Sequence, residues 1–256
     1  MNRIDKKFQS LKAEGKKALI PYICSGDPSV EMTEKLVYAL EEAGADIIEL
    51  GIPFSDPLAD GPVIQAAGLR AFAGGYRLAD TFQIAENVRK NSEIPLVIMV
   101  YYSSIIGFGK EKFLEGCINA DVDGLIVPDL PYEEYDEFKP LLEGTGIYMI
   151  PLVGLTSGHR IPKLVKEAKG FVYCVSSMGV TGVRKEFDTR VESFVKEVQK
   201  YTDTPACIGF GISSKEDIDR FEAYADGCIV GSAIVRKIFE SNGDLEQVKD
   251  FVKGLR

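Results

Sequence analysis

The sequence predicts an α/β fold, a (β/α)8 TIM barrel with an additional N-terminal helix and a short extra helix after strand eight. Eight short apolar runs are each followed by a helical pattern, which indicates a parallel sheet. The runs are continuously apolar, as expected for strands buried on both faces. The first run leads into Ser25-Gly-Asp-Pro28 without a glycine-rich nucleotide fingerprint, which argues against a doubly wound sheet. We find no linker, so residues 1–256 are predicted to form a single barrel domain.

The elements follow in order. Residues 4–14 predict an amphipathic helix with Ile4, Phe8 and Leu11 on one face, placed to plug the bottom of the barrel. The predicted strands are 18–24, 46–50, 94–101, 124–128, 147–153, 171–175, 206–209 and 228–230. The predicted helices are 30–43, 62–73, 78–90, 110–117, 132–142, 158–168, 189–200, one from 213, 232–240 and 245–254. Pro140 is expected to kink or end its helix.

Composition limits the classes of function. The 45% hydrophobic and 27% charged content is that of a globular protein, and the net charge of −9 argues against nucleic acid or an anionic membrane as the main partner. The five cysteines form neither a CxxC pair nor a Cys/His cluster, so we expect buried free thiols and no zinc site. The N-terminus lacks the apolar core of a signal peptide, and no apolar run reaches membrane-spanning length. We therefore expect a cytoplasmic protein.

One stretch carries an unusual pattern of acids. Glu49 lies at the end of the second predicted strand, and Asp56 and Asp60 follow in a loop stiffened by three prolines. A charge at a buried strand position is costly. In a (β/α)8 barrel the carboxyl ends of the strands form the catalytic face. Two carboxylates held there at different depths can serve as acid and base. The alternative is a solvated acidic loop, which explains Asp56 and Asp60 but not Glu49.

The last three strand–helix junctions are rich in small residues. They are Ser176-Ser-Met-Gly-Val-Thr-Gly182, Gly209-Phe-Gly-Ile-Ser213 and Gly231-Ser-Ala233. Small residues expose backbone N–H groups, and a helix N-terminus favours an anion. The loops after strands seven and eight form the recurrent phosphate site of such barrels. The alternative is a set of glycine turns with serine N-caps, which any barrel needs.

At this point the motifs are specific enough to name a family. The chain resembles the tryptophan synthase alpha subunit family over nearly its whole length. The most specific match is Glu49-Leu-Gly-Ile-Pro-Phe-Ser-Asp-Pro-Leu-Ala-Asp-Gly-Pro-Val-Ile-Gln65. The other matching motifs, in the family's order, are Pro128-Asp-Leu-Pro131, Gly179-Val-Thr-Gly182, Gly209-Phe-Gly-Ile-Ser213 and Gly231-Ser-Ala-Ile-Val235.

The resemblance implies a carbon–carbon lyase without a cofactor of its own. The enzyme would cleave indole-3-glycerol phosphate to indole and glyceraldehyde 3-phosphate by a retro-aldol step. Glu49 would be the general acid/base near indole C3 and the glycerol C3′ hydroxyl. Asp60 would hold the indole N–H and stabilise the transient positive charge on the ring. Each well-placed proton-transfer group contributes roughly 10²–10⁴-fold to such a rate.

The resemblance also assigns substrate-binding positions. Tyr173 matches a family tyrosine near Glu49, and Thr181 is expected to close over the substrate and help orient Asp60. Two aromatic residues, Tyr22 and Phe210, would line the pocket. The phosphate would lie among Gly182, Gly211, Gly231 and Ser232.

The family's partner is a pyridoxal-phosphate-dependent beta subunit, in an alpha2-beta2 heterotetramer that uses the indole to make tryptophan. The resemblance implies that the Asp56 loop and the Pro128–Pro131 loop form the contact. Pyridoxal phosphate is expected only in that partner.

Two features stand apart from these assignments. Ser103 stands where family members usually carry Asn, and the shorter side chain would weaken coupling to the partner. The only histidine, His159, is expected on the surface. Three alternatives stay open: a lyase that releases indole on its own, a barrel that acts mainly as an allosteric activator of the beta subunit, and another phosphate-binding barrel. The last would lack the Glu49–Gln65 stretch, and intact carboxylates argue against the activator.

Overall fold

A computed structural model describes residues 1–57, 60–176, 184–209 and 211–256. Within these ranges, nine strands all run parallel in one sheet. The strands are β1 Ala18–Cys24, β2 Ile48–Gly51, β3 Leu96–Met99, β4 Gly124–Ile126, β5 Tyr148–Met149, β6 Leu152–Gly154, β7 Val172–Val175, β8 Ala206–Gly209 and β9 Gly227–Val230.

Twelve α-helices accompany the strands in the same described ranges. They are α1 Arg3–Glu14, α2 Val30–Glu42, α3 Pro62–Ala73, α4 Leu78–Arg89, α5 Tyr102–Phe108, α6 Lys110–Asn119, α7 Tyr135–Leu142, α8 Ile161–Val165, α9 Arg184–Gln199, α10 Lys215–Glu222, α11 Ser232–Glu240 and α12 Leu245–Lys253. None of the helices in the described ranges is long and apolar enough to cross a membrane.

The sheet closes through a strand that is interrupted in its middle. The strand order is β5-β4-β3-β2-β1-β9-β8-β7-β6, so its two edges are consecutive in the chain. The Ile150 N–H donates to Leu125 O at 2.8 Å on one side, and the Tyr173 N–H donates to Pro151 O at 2.9 Å on the other. Residues 150 and 151 therefore join the edges, and the predicted (β/α)8 barrel is confirmed.

Apolar side chains fill the barrel on both sides of the sheet. Inside, the lower layers contain Ile20, Val97, Ile126, Ile150 and Phe171, all buried. A larger apolar layer lies between the outer face of the strands and the helices. This two-sided burial explains why the strands read as continuous apolar runs.

Helix α1 plugs the bottom of the barrel as predicted. Its N-cap is Asn2, whose side-chain oxygen accepts from the Ile4 N–H at 2.8 Å, and Gly15 ends it with φ +67°. Ile4 and Phe8 are buried in the same cluster as Phe171. The N-terminal helix is thus held by both its cap and its apolar face.

Several predicted bounds were wrong. The fifth strand, predicted over 147–153, is split because Pro151 has no N–H to donate. The helix predicted over 158–168 is a 3₁₀ turn, Gly158–Arg160, followed by the short α8. Helix α9 begins five residues before the predicted 189, and α5 was not predicted at all. Pro140 lies inside α7, which ends two residues later.

Candidate active site

Glu49 lies inside the barrel at the carboxyl end of β2. It pairs in register with Tyr22 on β1 and Val97 on β3, so these side chains point to the same interior face. Glu49 is 1% exposed, and neither carboxylate oxygen has a hydrogen-bond partner among the described residues. Burial, and secondly the charge of Asp60, raises the pKa of Glu49 to about 8. A carboxyl group with this pKa is protonated at neutral pH and can donate a proton.

Asp60 stands at the rim of the same space, directly before α3. It is half-buried, and burial raises the pKa of its carboxyl to about 6, against the lowering effect of a hydrogen bond from Tyr101. Its backbone carbonyl accepts from the Gln65 side chain at 2.8 Å. Near neutral pH Asp60 is therefore mostly ionised while Glu49 is mostly protonated.

Tyr101 is a site residue that the sequence analysis missed. It follows β3, is buried, and donates its hydroxyl to the Asp60 carboxylate. The ring of Phe54 stacks on it with 4.9 Å between ring centroids. The only signal in the sequence was a tyrosine at the carboxyl end of a predicted strand, which is where the barrel places its chemistry.

Two buried tyrosines complete the wall of the site. Tyr22 on β1 and Tyr173 on β7 are 8% and 4% exposed, and burial is the main cause of the raised pKa of each phenol. The charges of Glu49 and Asp60 raise both pKa values further, which places all four groups around one space. The structure thus brings these four predicted residues together around one space.

Three of the predicted phosphate residues, Gly211, Gly231 and Ser232, lie at the same end of the barrel. Gly231 precedes α11 as its N-cap and Ser232 is its first, exposed residue, while Gly211 takes φ +78° in the loop after β8. No side chain caps α11 in the described structure, so its first N–H groups point outward unpaired within the helix. In contrast, Ser214 caps α10 by accepting from the Asp217 N–H at 3.2 Å. The serine N-cap alternative therefore fits α10 and not α11.

Three predicted residues, Thr181, Gly182 and Phe210, lie outside the described residues. Of the predicted partner contacts, Asp56 and Asp129 are both exposed. Asp129, in the Pro128–Pro131 loop, accepts from the Tyr102 N–H at 2.6 Å and so holds the start of α5. Ser103 is exposed on α5, and His159 is exposed as predicted.

The arrangement can move protons at one end and hold an anion at the other. A protonated buried acid faces an ionised one across a space walled by phenols, and an uncapped helix N-terminus lies at the rim. Within the described ranges, no group of three His, Cys, Asp or Glu side chains could hold a metal ion.

Proteins of one known family match this chain over nearly its whole length. The family model described as "Tryptophan synthase alpha chain" matches residues 8–254. The tryptophan synthase alpha chain of Thermoanaerobacter sp. (strain X514) is 51% identical over 259 residues, covering 100% of this chain and 99% of the relative. That of Clostridium beijerinckii is 50% identical over 256 residues, covering 100% and 98%.

Solved structures agree with the sequence relatives. Tryptophan synthase subunit alpha from Legionella pneumophila superposes with a TM-score of 0.91 at 34% identity, over 100% of this chain and 97% of that one. A chain of tryptophan synthase from Mycobacterium tuberculosis, in its aminoacrylate-bound form, gives a TM-score of 0.89 at 32% identity, over 100% and 98%. The chain therefore belongs to the tryptophan synthase alpha chain family.

Proposed function

We propose that this chain cleaves indole-3-glycerol phosphate to indole and glyceraldehyde 3-phosphate by a retro-aldol reaction, without a cofactor of its own. The observation that carries the proposal is the buried Glu49 carboxyl, with a pKa raised to about 8, beside an Asp60 carboxyl with a pKa of about 6. The reaction needs both a proton donor and an anion in one closed space. Few other uses explain an acid buried without a hydrogen-bond partner among the described residues.

The step balances with these two groups. Protonated Glu49 delivers its proton to indole C3, and the positive charge that develops at the ring nitrogen is stabilised by ionised Asp60. The carboxylate left on Glu49 then takes the proton of the C3′ hydroxyl. The bond between indole C3 and the glycerol carbon C3′ then breaks, and its electron pair returns to the ring. The C3′ oxygen becomes the aldehyde oxygen of glyceraldehyde 3-phosphate.

The remaining predicted residues orient the substrate in this proposal. Tyr22 and Tyr173 exclude water around the ring, since both are buried beside the carboxyl groups. The phosphate binds at the N-terminus of α11, where the N–H groups of Ser232 and the residues after it are free of capping side chains. Gly211 belongs to the same subsite, together with Gly182, Thr181 and Phe210, which are carried over from the family motifs.

A pyridoxal-phosphate-dependent beta subunit is the proposed partner, in an alpha2-beta2 heterotetramer. The Asp56 loop and the Pro128–Pro131 loop are its proposed contacts. Phe54 of the first loop stacks on Tyr101, which bonds Asp60. Asp129 of the second loop holds the start of α5. Partner binding at either loop would therefore reach the catalytic carboxylate through one or two contacts.

The whole chain, residues 1–256, acts as one domain in this proposal. We place it in the cytoplasm, because all five cysteines are free and buried.

The direct test is indole release from indole-3-glycerol phosphate by the purified protein, with and without a beta subunit. Glu49→Gln and Asp60→Asn should each lose at least 10²-fold in kcat, on the order of one lost proton-transfer or charge-stabilising group, while folding normally. An unchanged cleavage rate in Glu49→Gln would refute the mechanism. A rate indifferent to the beta subunit would instead indicate an enzyme that acts alone.

Ser103 gives a separate test of the coupling. Ser103→Asn should increase the stimulation of cleavage by the beta subunit and leave the basal rate unchanged, because residue 103 is exposed on α5. Equal stimulation of the wild type and the variant would show that residue 103 does not affect coupling to the beta subunit.

A further inference from the structure

A partly buried ion pair joins the loop after β1 to the last turn of α3. Arg70 donates from Nε to Asp27 Oδ1 at 2.8 Å and from Nη2 to Oδ2 at 2.7 Å. Asp27 is only 4% exposed. Two parallel charge-assisted hydrogen bonds fix the orientation of both groups as well as their distance. The pair lies on the catalytic face of the barrel, since the β1 loop follows the carboxyl end of its strand.

Helix α3 is otherwise held by apolar contacts. Its fully buried residues, Ala67, Gly68 and Ala71, are small, and Val63 and Ile64 in the first turn pack, partly buried, against the cluster that contains Tyr22 and Val235. Small apolar groups also contribute little stabilisation, at roughly 25 cal/mol per Å² of buried surface. Apolar contacts are not directional, whereas the two hydrogen bonds of the Arg70 guanidinium fix the orientation of the helix near its C-terminal end. The guanidinium also lies 4.5 Å from the ring centroid of Phe239 on α11, the helix of the proposed phosphate subsite.

The opposite end of α3 carries Asp60. Within the first turn, the Gln65 side chain donates to the Asp60 carbonyl at 2.8 Å, and the Gln65 N–H donates to Gly61 O at 3.0 Å. The helix is continuous over the nine residues from Pro62 to Arg70, a length of about 12 Å. A shift of Arg70 is therefore transmitted to the Asp60 backbone.

We propose that Arg70, held by Asp27, is a positioning residue that fixes α3 and through Gln65 sets the place of the Asp60 carboxylate opposite Glu49. The inference rests on the proposed retro-aldol activity, in which Asp60 acts mainly in the transition state. Loss of the two hydrogen bonds between Arg70 and Asp27 should therefore lower kcat more than it raises KM. A displacement of about 1 Å can cost up to roughly 10²-fold in rate.

The experiment uses four variants of the full chain. Arg70→Lys keeps the positive charge but loses the bidentate contact with Asp27. Asp27→Asn removes the negative charge that Arg70 binds. Gln65→Leu breaks only the link to Asp60, and because Gln65 is exposed this variant should fold normally. Arg89→Lys is the control: Arg89 donates to Asp123 Oδ2 at 2.7 Å in a more deeply buried pair, and Asp123 also binds Arg3 of the α1 plug at the barrel bottom.

The expected result is a fall in kcat of about tenfold or more in Arg70→Lys and Gln65→Leu, with KM changed less than threefold. Arg89→Lys should lower the thermal midpoint and keep wild-type kcat. The pH dependence of kcat/KM should also change. The Asp60 charge helps to raise the pKa of Glu49, so the pH above which activity falls should be lower in Arg70→Lys than in the wild type.

Two outcomes overturn the inference while the proposed function stands. In the first, the wild type cleaves and Gln65→Leu keeps full kcat. In the second, Arg70→Lys loses only stability, as Arg89→Lys does, with an unchanged pH profile. A wild type that does not cleave indole-3-glycerol phosphate, with or without a beta subunit, would refute the proposed function itself.

Discussion

The phenol of Tyr22 occupies the space that a side chain at Gly51 would need. A Cβ built on Gly51 would lie 2.0 Å from the Tyr22 hydroxyl oxygen and 2.3 Å from the nearest ring atom. The same relation recurs across the barrel mouth, where a Cβ on Gly209 would lie 2.4 Å from the hydroxyl of Tyr173. Glycines at two strand ends thus allow both phenols to lie close against the backbone and wall the site.

Gly51→Ala should therefore displace Tyr22 and disturb the pocket. We expect a loss of at least about tenfold in kcat/KM for indole release and a destabilisation of about 1–3 kcal/mol, typical of overpacking. Urea denaturation and steady-state kinetics would measure the two effects. The matched control is Gly107→Ala in α5, where nothing lies within 4 Å of the new Cβ, so activity should be unchanged. Full activity in Gly51→Ala would contradict the packing argument.

The two carboxyl groups predict a bell-shaped pH dependence of kcat/KM. Asp60 must be ionised, so activity should rise with pH through about 6, and Glu49 must be protonated, so activity should fall through about 8. Because the groups interact, the two apparent values belong to the pair. Rates of indole release measured from pH 5 to 9 would check this. A profile that rises through both values would show that Glu49 starts as the base.

Glu49 should also make the folded state less stable as pH rises. Its folded pKa of about 8 exceeds the ordinary value of 4.5, so the folded protein keeps a proton that the unfolded chain releases. The stability difference appears above pH 4.5 and grows until about pH 8. Glu49→Gln removes this dependence, and between pH 5.5 and 7.5 its free energy of unfolding should gain about 2–3 kcal/mol relative to the wild type. Urea denaturation of both proteins at pH 5.5 and pH 7.5 would measure this gain. If Glu49 were solvated, the difference in free energy of unfolding between the variant and the wild type would be the same at both pH values.

At the bottom of the barrel, a substitution should lower the stability of the protein without lowering its activity. Asp123, 3% exposed, accepts from the Leu96 N–H at 2.9 Å and forms ion pairs with Arg89 at 2.7 Å and Arg3 at 3.2 Å. Asp123→Asn leaves two guanidinium groups without that charge and should cost about 3–5 kcal/mol of stability. Its kcat should stay within twofold of the wild type, measured well below the melting temperature. A large loss of kcat would show that the two ends of the barrel are coupled.

The architecture and the unusual position of Glu49 could be predicted from local patterns, whereas the other pocket residues were assigned through the family resemblance. Continuous apolar runs mark two-sided strands, and a Glu at the end of one is conspicuous against them. The helix α5 shows where this reasoning stops. Its seven residues include two serines and a glycine, its N-cap Tyr101 makes no side-chain cap, and its first N–H binds Asp129 from another loop. No pattern in residues 102–108 contains that contact.

Tyr101 was missed for a similar reason. Its role depends on the Asp60 loop returning from the neighbouring strand to meet its hydroxyl, and that approach is a property of the closed barrel. The interrupted fifth strand had a visible cause in Pro151, but the seven-residue apolar run concealed it. The role of Arg70 was equally hidden, because its partner lies 43 positions earlier in the chain.

The α1 plug has a consequence for the order of events during synthesis. Ile4 and Phe8 are buried against the barrel interior, and the Tyr148 hydroxyl binds Asp5 at 2.7 Å while Arg3 pairs with Asp123. Phe171 belongs to the same cluster, so the first helix made must wait for some 170 residues before its apolar face is covered. Until then a nascent chain exposes that face, which makes it a natural target for chaperones. The strands that close the barrel thus also end the exposure of its earliest helix.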